Sequence, residues 1–279
     1  MEMMIKGLPT IMCLILTQSK KKSIQNVLLH WLTVHLRDTM QQVSTFVFLK
    51  NLVLAYGQTG SGKTYTMGTA GRVTNPNDVG IVPRVIEDIF QRKATLEKES
   101  PGCEIIIHVS FLEIYAENVR DLLEMDQSSN KEVLIRTDDQ GGVKVIGQKT
   151  QQVFTAEELQ EVLDTGSLYR ATGHTSMNAY SSRSHAIFTI YIDQEIPIQS
   201  EDDEQETEKT EKTEKTEKAE RRTDLRQSKF HFVDLAGSER ASRTNSEGQR
   251  MKEGIDINRG LLALGKVIRA LGDEKMKST

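Results

Sequence analysis

The sequence predicts an α/β fold in which a layered mixed β-sheet is flanked by helices. Short runs of apolar and β-branched residues, typical of strands, alternate with segments whose apolar residues recur at helical spacing. Strands that alternate with helices are typical of such layered sheets. The 279 residues suffice to bury a sizeable core. Two cysteines are too few for a disulfide framework and favour a reducing compartment.

Each element is placed by its local pattern. Apolar and β-branched runs predict strands, and a Gly-containing turn between two short runs predicts a small hairpin. The predicted strands are Asn51–Tyr56, Glu104–Tyr115, Ala186–Ile192 and Phe230–Asp234, with a hairpin formed by Val133–Arg136 and Val143–Ile146. Helical spacing predicts helices after Gly62, over Val82–Lys98, from the capping box Thr155-Ala-Glu-Glu158 towards Tyr169, and over Glu253–Leu271.

The net charge of −4 comes from one segment. Glu201–Arg222 holds ten acidic and six basic residues, whereas the rest of the chain carries 30 of each. Its Glu-Lys-Thr repeats predict a solvated surface loop, with a functional acidic arm as the alternative. The remainder is neutral overall, so a basic binding face would have to be local. The chain has no apolar run of 18 or more residues, which predicts no membrane-spanning helix.

A glycine-rich segment, Gly57–Thr64, has the spacing of a phosphate-binding loop. Residues without a Cβ let successive backbone N–H groups converge on phosphate oxygens, and the helix that follows adds its positive end. We expect Lys63 to neutralise the β- and γ-phosphates and the Thr64 hydroxyl to bind Mg²⁺. The fold class is therefore that of a P-loop NTPase. The predicted nucleotide-binding residues are Gly57, Gln58, Thr59, Gly60, Ser61, Gly62, Lys63 and Thr64.

Two further motifs supply groups that could sense a terminal phosphate. Asp234 ends a predicted apolar strand, which is where a carboxylate that acts on Mg²⁺ through water belongs. Gly237 follows three residues later and resembles the glycine whose backbone N–H meets the γ-phosphate in switch-type hydrolases. The other motif is Asn178–His185, which reads Asn-Ala-Tyr-Ser-Ser-Arg-Ser-His. His185 stands at a strand start, where a structural role is more common than a catalytic one.

Together, the three motifs resemble those of the kinesin motor domain: Gly57–Thr64, Asn178–His185 and Asp234–Arg240. Their residues are most similar to those of the chromokinesin branch. The resemblance implies Mg²⁺-dependent hydrolysis of ATP. Asn178–His185 then corresponds to a first switch and Asp234–Arg240 to a second switch. By the same resemblance, Arg183 of the first switch pairs with Glu239 of the second.

The resemblance also assigns the remaining site residues. Asn178, Ser181 and Ser182 would lie near Mg²⁺ and the γ-phosphate. Tyr65 matches a kinesin position at which the side-chain ring packs on adenine. From the sequence alone, packing of the Tyr65 ring into the core is an equal alternative. The implied catalytic residues are Ser181, Ser182, Arg183, Gly237 and Glu239, and the implied Mg²⁺ ligands are Thr64, Ser182 and, through water, Asp234.

A filament partner follows from the same resemblance. The helix Glu253–Leu271 matches the kinesin helix that lies against the microtubule. The residues before it include Arg240, Arg243, Arg250 and Lys252, a local basic patch suited to an acidic filament. We therefore predict microtubule binding through Arg240–Leu271 and a location in the cytoplasm on the microtubule cytoskeleton. The alternative for Arg240–Leu271 is a solvated loop beside a helix that packs on the core. The resemblance implies neither a membrane nor a nucleic acid as a partner.

The resemblance extends from about Val53 to Thr279, and residues 1–52 do not look like a kinesin. The Arg-x-Arg-Pro segment and the Tyr-Arg-Asp-Ser-Lys-Leu-Thr stretch of that family are not found in the chain. We therefore expect a divergent N-terminal segment before a partial motor domain over residues 53–279. A non-motile fragment that binds nucleotide or microtubules and interferes with intact motors is one alternative. A GTPase-type switch is another alternative. GTPases recognise guanine with the motif Asn-Lys-x-Asp, and the nearest match in this chain, Asn130-Lys-Glu-Val133, has Val in place of the Asp.

Overall fold

The computed structural model describes residues 45–49, 52–71, 75, 78–124, 132–137, 143–172, 182–197, 223–239 and 249–272. The strands are β1 (Thr45–Leu49), β2 (Leu52–Tyr56), β3 (Glu104–Tyr115), β4 (Asn118–Asp121), β5 (Leu134–Thr137), β6 (Val143–Ile146), β7 (Gln151–Val153), β8 (His185–Pro197) and β9 (Thr223–Asp234). The helices are α1 (Lys63–Met67), α2 (Ile81–Glu99), α3 (Ala156–Thr172) and α4 (Gln249–Gly272). None of the described helices is long and apolar enough to cross a bilayer.

The described strands form a seven-stranded sheet in the order β1-β2-β9-β8-β3-β4, with β7 paired to β3. β2 and β9 pair in parallel, while the other pairs of this sheet are antiparallel. The predicted mixed sheet is therefore confirmed. Since parallel strands end at the same edge and β8 begins beside the end of β9, the three sequence motifs meet at one edge of the sheet.

Apolar residues cover both faces of the sheet because successive side chains of a strand point to opposite sides. One face packs against α2 and α3, and Phe111 and Phe188 lie edge to face there with ring centroids 5.2 Å apart. The other face packs against α4, through the buried Leu264, and against the β5–β6 hairpin. The site edge is thus held between two apolar layers.

The local start signal of α3 is confirmed. The Thr155 hydroxyl accepts a hydrogen bond from the Glu158 N–H at 3.1 Å, and the Glu158 carboxylate accepts one from the Phe154 N–H at 2.8 Å. The first bond satisfies a backbone donor that a helix start leaves unpaired, and the second joins the residue before the cap to the first turn. Capping therefore fixes the first turn of the helix that carries a site residue at its other end.

β8 and β9 extend well beyond their predicted ranges, which covered only their apolar halves. The additional residues are mostly polar and at least partly exposed, so no apolar pattern marked them. They are strands because β8 and β9 continue their backbone ladder as far as Pro197 and Thr223. The charged segment 201–222 that follows β8 lies outside the described residues.

Candidate functional site

The loop from Gly57 to Gly62 connects β2 to α1 and adopts a conformation that favours glycine. Gly60 has φ +79° and Gly62 has φ +85°, both in the left-handed region. A Cβ at Gly60 would meet no heavy atom within 4 Å, so the requirement there is conformational and not steric. Gly62 is the N-cap of α1. The glycine spacing seen in the sequence therefore corresponds to backbone turns that only glycine adopts easily.

Lys63 places a buried positive charge beneath this loop. Its side chain is only 7% exposed, and its ammonium group donates to the carbonyl oxygens of Gly57 and Gln58, at 2.9 Å each. Burial lowers the pKa of Lys63, and the carboxylates of Asp234 and Glu239 offset part of that effect. The ammonium therefore serves both as a brace of the loop and as a cation inside an otherwise polar cradle.

Thr64 and Asp234 meet at the adjoining ends of α1 and β9. The Thr64 hydroxyl donates to Asp234 Oδ2 at 2.7 Å, and Asp234 is 2% exposed. Among the described residues, Asp234 Oδ1 and the Ser61 hydroxyl are buried without a hydrogen-bond partner. A hydroxyl and a carboxylate are ligands that Mg²⁺ prefers, usually together with water and substrate phosphates. This donor set fits the predicted ion.

Arg170, near the end of α3, is a site residue that sequence reasoning missed. Its side chain is 3% exposed and donates to Asp234 Oδ2 at 2.9 Å. The same guanidinium donates to the carbonyl oxygen of Ser184 at 2.9 Å and lies 3.7 Å from the Glu113 carboxylate. The available signal was its position, since Arg170 continues the buried stripe of α3 formed by Leu159, Leu163 and Gly166. A charged residue on a core-facing stripe requires a buried partner.

The second switch contacts both other motifs through its backbone. The Gly237 N–H donates to the Ser182 carbonyl oxygen at 2.7 Å, and the Ser238 N–H donates to the Gly57 carbonyl oxygen at 3.1 Å. The structure thus brings the phosphate loop and the described parts of both switches together. Ser181 and Asn178 lie outside the described residues.

Glu239 contacts the phosphate loop. Its carboxylate accepts hydrogen bonds from the Thr59 N–H, at 2.9 Å, and from the Thr59 hydroxyl. Burial raises the pKa of Glu239, but these hydrogen bonds and the charge of Lys63 outweigh it and hold the pKa below its ordinary value. Arg183 lies next to Ser182 in the first switch, and its pairing with Glu239 stays a prediction.

His185 has a structural environment, as its position in the sequence suggested. Its Nδ1 accepts a hydrogen bond from the Ala236 N–H at 3.1 Å, and the residue is buried. Burial, followed by the charges of Arg170 and Lys63, lowers the pKa of His185 to about 3. The neutral ring therefore joins the start of β8 to the second switch.

Tyr65 lies on α1 and is 51% exposed, so the core-packing alternative is wrong. Its hydroxyl hydrogen-bonds Asp78, which raises the pKa of Tyr65. An exposed ring beside the phosphate loop is available for stacking, and contact with adenine stays a prediction.

α4 presents a mixed basic and apolar surface. Arg259, Lys266 and Arg269 are exposed, and so are the apolar side chains of Ile255 and Leu262. Asn258 of the same helix donates to the Glu239 carbonyl oxygen at 3.3 Å. The helix is therefore joined directly to the second switch. Residues 240–248, which contain part of the predicted basic patch, lie outside the described residues.

Comparison with known proteins agrees with this geometry. Residues 37–279 match the kinesin motor domain family, so the match begins before residue 53, the predicted start of the motor-like part. The kinesin-like protein KIN-4C of Oryza sativa subsp. japonica is 46% identical over 240 residues, which cover 81% of this chain and 17% of that protein. The chromosome-associated kinesin KIF4 of Gallus gallus is 43% identical over 228 residues, covering 81% of this chain and 16% of that protein. The resemblance to the chromokinesin branch is confirmed.

Solved structures with similar folds include motor domains. One, described as a fast kinesin, has a TM-score of 0.61 and 32% identity, covering 86% of this chain and 59% of that chain. Another is a KIF14 dimer with AMP-PNP in complex with a microtubule, with a TM-score of 0.61, 32% identity and coverage of 92% and 64%. The chain spans about one sixth of the length of the curated relatives described above.

Proposed function

Because the chain belongs to the kinesin motor domain family, we propose that it binds and hydrolyses Mg-ATP and couples this activity to microtubule binding as a motor. The observation that carries the proposal is the meeting of three separate motifs at one sheet edge. Thr64 contacts Asp234, Gly237 contacts Ser182, and Thr59 contacts Glu239. A site that senses a terminal phosphate requires such contacts between its phosphate loop and its switches.

Phosphate binding would rest on the loop and the start of α1. Gly57–Gly62 would supply backbone N–H groups, Lys63 a positive charge, and the exposed Tyr65 ring a platform for the base. Thr64, Ser182 and Asp234 would hold Mg²⁺, Asp234 through water. When bound, the ion would neutralise charge on the phosphates. Arg170 would keep the Asp234 carboxylate oriented through its 2.9 Å hydrogen bond.

Hydrolysis would depend on the switches. Ser181, Ser182 and Gly237 would surround the terminal phosphate, and an ion pair between Arg183 and Glu239 would order the attacking water. Phosphoryl transfer needs positioning and charge stabilisation more than covalent chemistry from the protein. In the structure the Glu239 carboxylate accepts hydrogen bonds from Thr59, and the ion pair with Arg183 would form when the two switches close over the phosphate. The proposal therefore includes a movement of the second switch.

Microtubule binding would use Arg240–Leu271. The support from the structure is the exposed basic and apolar surface of α4, and two similar structures are described in connection with microtubules. A positive surface is suited to an acidic filament, and its contribution falls as salt screens exposed charges. The Asn258–Glu239 contact would connect filament binding to the nucleotide site.

The test is equilibrium titration of the purified chain with Mg-ATP, for the wild type, Lys63→Ala and Lys144→Ala. Lys63→Ala should weaken ATP binding by about 100-fold or more, since the phosphates lose a buried counter-charge. Lys144 lies exposed on β6 and belongs to none of the three motifs, and its replacement controls for the loss of a lysine charge. Equal affinities of wild type and Lys63→Ala would contradict the proposal. The rate of ATP turnover is then measured with and without microtubules. An increase with microtubules would support the proposed coupling to filament binding, and an unchanged rate would contradict it.

A further inference from the structure

Thr59 and Glu239 form a two-point contact between the phosphate loop and the second switch. The Thr59 N–H donates to Glu239 Oε2 at 2.9 Å, and its hydroxyl donates to Oε1. Gly237 lies against the same pair, because a Cβ there would stand 2.2 Å from Glu239 Oε2 and 2.4 Å from the Thr59 hydroxyl oxygen. The carboxylate therefore fills the space between the loop and Gly237 closely.

This carboxylate is an anion in a cradle built for anions. Lys63 lies close enough for its charge to stabilise the ionised form of Glu239, and the carboxylate stabilises the charged form of Lys63 in return. A terminal phosphate, under the function proposed above, would use the same cation and approach the same glycine, Gly237. Two anions that share these groups repel each other in a partly desolvated site.

We propose that Thr59 is a specificity-determining residue: it positions Glu239 as an internal anion that competes with the terminal phosphate of a nucleoside triphosphate. The inference rests on the proposed function and adds to it. A diphosphate held by Lys63 and the start of α1 leaves the Thr59–Glu239 contact in place. A triphosphate has to displace it. Thr59 thereby lowers the affinity for triphosphate relative to diphosphate.

The test compares Thr59→Val with the matched control Thr59→Ser. The valine side chain has nearly the shape of threonine but cannot donate to Glu239, so only the backbone N–H bond to Oε2 remains, whereas serine keeps the hydroxyl. Affinities of the whole chain for Mg-ADP and for a non-hydrolysable Mg-ATP analogue are measured by equilibrium titration. Thr59→Val should shift the ratio of the two affinities towards the triphosphate by about tenfold, the effect of one hydrogen bond to a charged group. Thr59→Ser should leave the ratio within about twofold of wild type.

Glu239→Gln provides a second arm, because it removes the charge and keeps the shape. It should shift the ratio in the same direction as Thr59→Val, and it carries the test if thermal denaturation shows that Thr59→Val does not fold. An unchanged ratio in the folded variants overturns the inference. A shift towards the diphosphate in Thr59→Val also overturns it, since the hydroxyl would then bind the phosphate. Wild-type protein that binds neither nucleotide overturns the proposed function, and the inference with it.

Discussion

Two parts of the site differ in how they are held. The floor, which we define as Lys63, Arg170 and Asp234, is buried, with exposures of 7%, 3% and 2%. The rim, which we define as Thr59 and Glu239, lies on loops with more access to solvent. Both parts depend on charged hydrogen bonds, yet only the floor would leave unpaired charge in the interior if a partner were lost. The comparison separates groups that fix the site from groups that can exchange partners within it.

Removal of Arg170 should give the largest effect. Arg170→Ala removes the cation that lies 2.9 Å from the buried Asp234 and leaves Glu113 with Arg120, at 3.9 Å, so the free energy of unfolding should fall by about 3–5 kcal/mol. Arg92→Ala is the matched control, since Arg92 also lies on a helix but pairs with Asp88 near the surface and should contribute at most about 1 kcal/mol. Denaturant unfolding measures both. Similar losses in the two variants would remove the distinction between floor and surface.

Acid should give the next-largest loss of stability, through His185, whose pKa is lowered by burial and by the charges of the floor residues Arg170 and Lys63. The pKa of His185 is lowered to about 3 in the folded chain, from an unfolded value near 6.5, so the unfolded state binds the proton first as pH falls. Stability should therefore decrease from about pH 6.5 towards pH 3, by at most about 1.4 kcal/mol per pH unit for this one group. His185→Gln retains an acceptor for Ala236 and does not titrate. Denaturation across this range should show a shallower slope for the variant, and parallel slopes would contradict the assignment.

Loss of the rim carboxylate should have the smallest effect on stability. Glu239→Ala should change the free energy of unfolding by no more than about 1 kcal/mol, because the partly exposed group leaves no buried charge behind. ATP binding should be retained, while turnover should be lost if Glu239 orders the attacking water. Denaturant unfolding, nucleotide titration and a phosphate-release assay measure the three quantities. A stability loss as large as that of Arg170→Ala would place Glu239 in the floor.

The sequence predicted the parts of the site that lie in continuous motifs. Thr64 and Asp234 were expected at one Mg²⁺ site, and their direct hydrogen bond follows from the parallel pairing of β2 and β9. Arg170, on helix α3, was not predicted, because its partners lie far away along the chain. Asp234 on β9 is 64 positions away and Glu113 on β3 is 57 positions away. Only the packed sheet brings these three residues together.

The contact of Glu239 with Thr59 was not predicted either, for a different reason. A carboxylate on a loop can accept hydrogen bonds from several donors in reach, and the motif does not state which of them it uses. The extents of β8 and β9 were also underestimated, because their outer halves are paired by backbone hydrogen bonds and carry polar side chains. Apolar patterns in a sequence reflect side-chain burial, whereas the outer halves of β8 and β9 are strands because of their backbone hydrogen bonds.

The long pairing of β8 with β9 has a consequence for protein engineering. The two strands pair at 12 successive positions, from Ala186 with Asp234 to Pro197 with Thr223. At about 3.4 Å per residue, this ribbon separates its distal end from the site by roughly 35–40 Å. Residues 198–222 connect the strands at that distal end. Because the strand ends at Pro197 and Thr223 lie this far from the floor and the rim, a fluorescent protein or an affinity tag joined to the chain next to them starts well away from the site, so it should leave the nucleotide affinities of the proposed function unchanged.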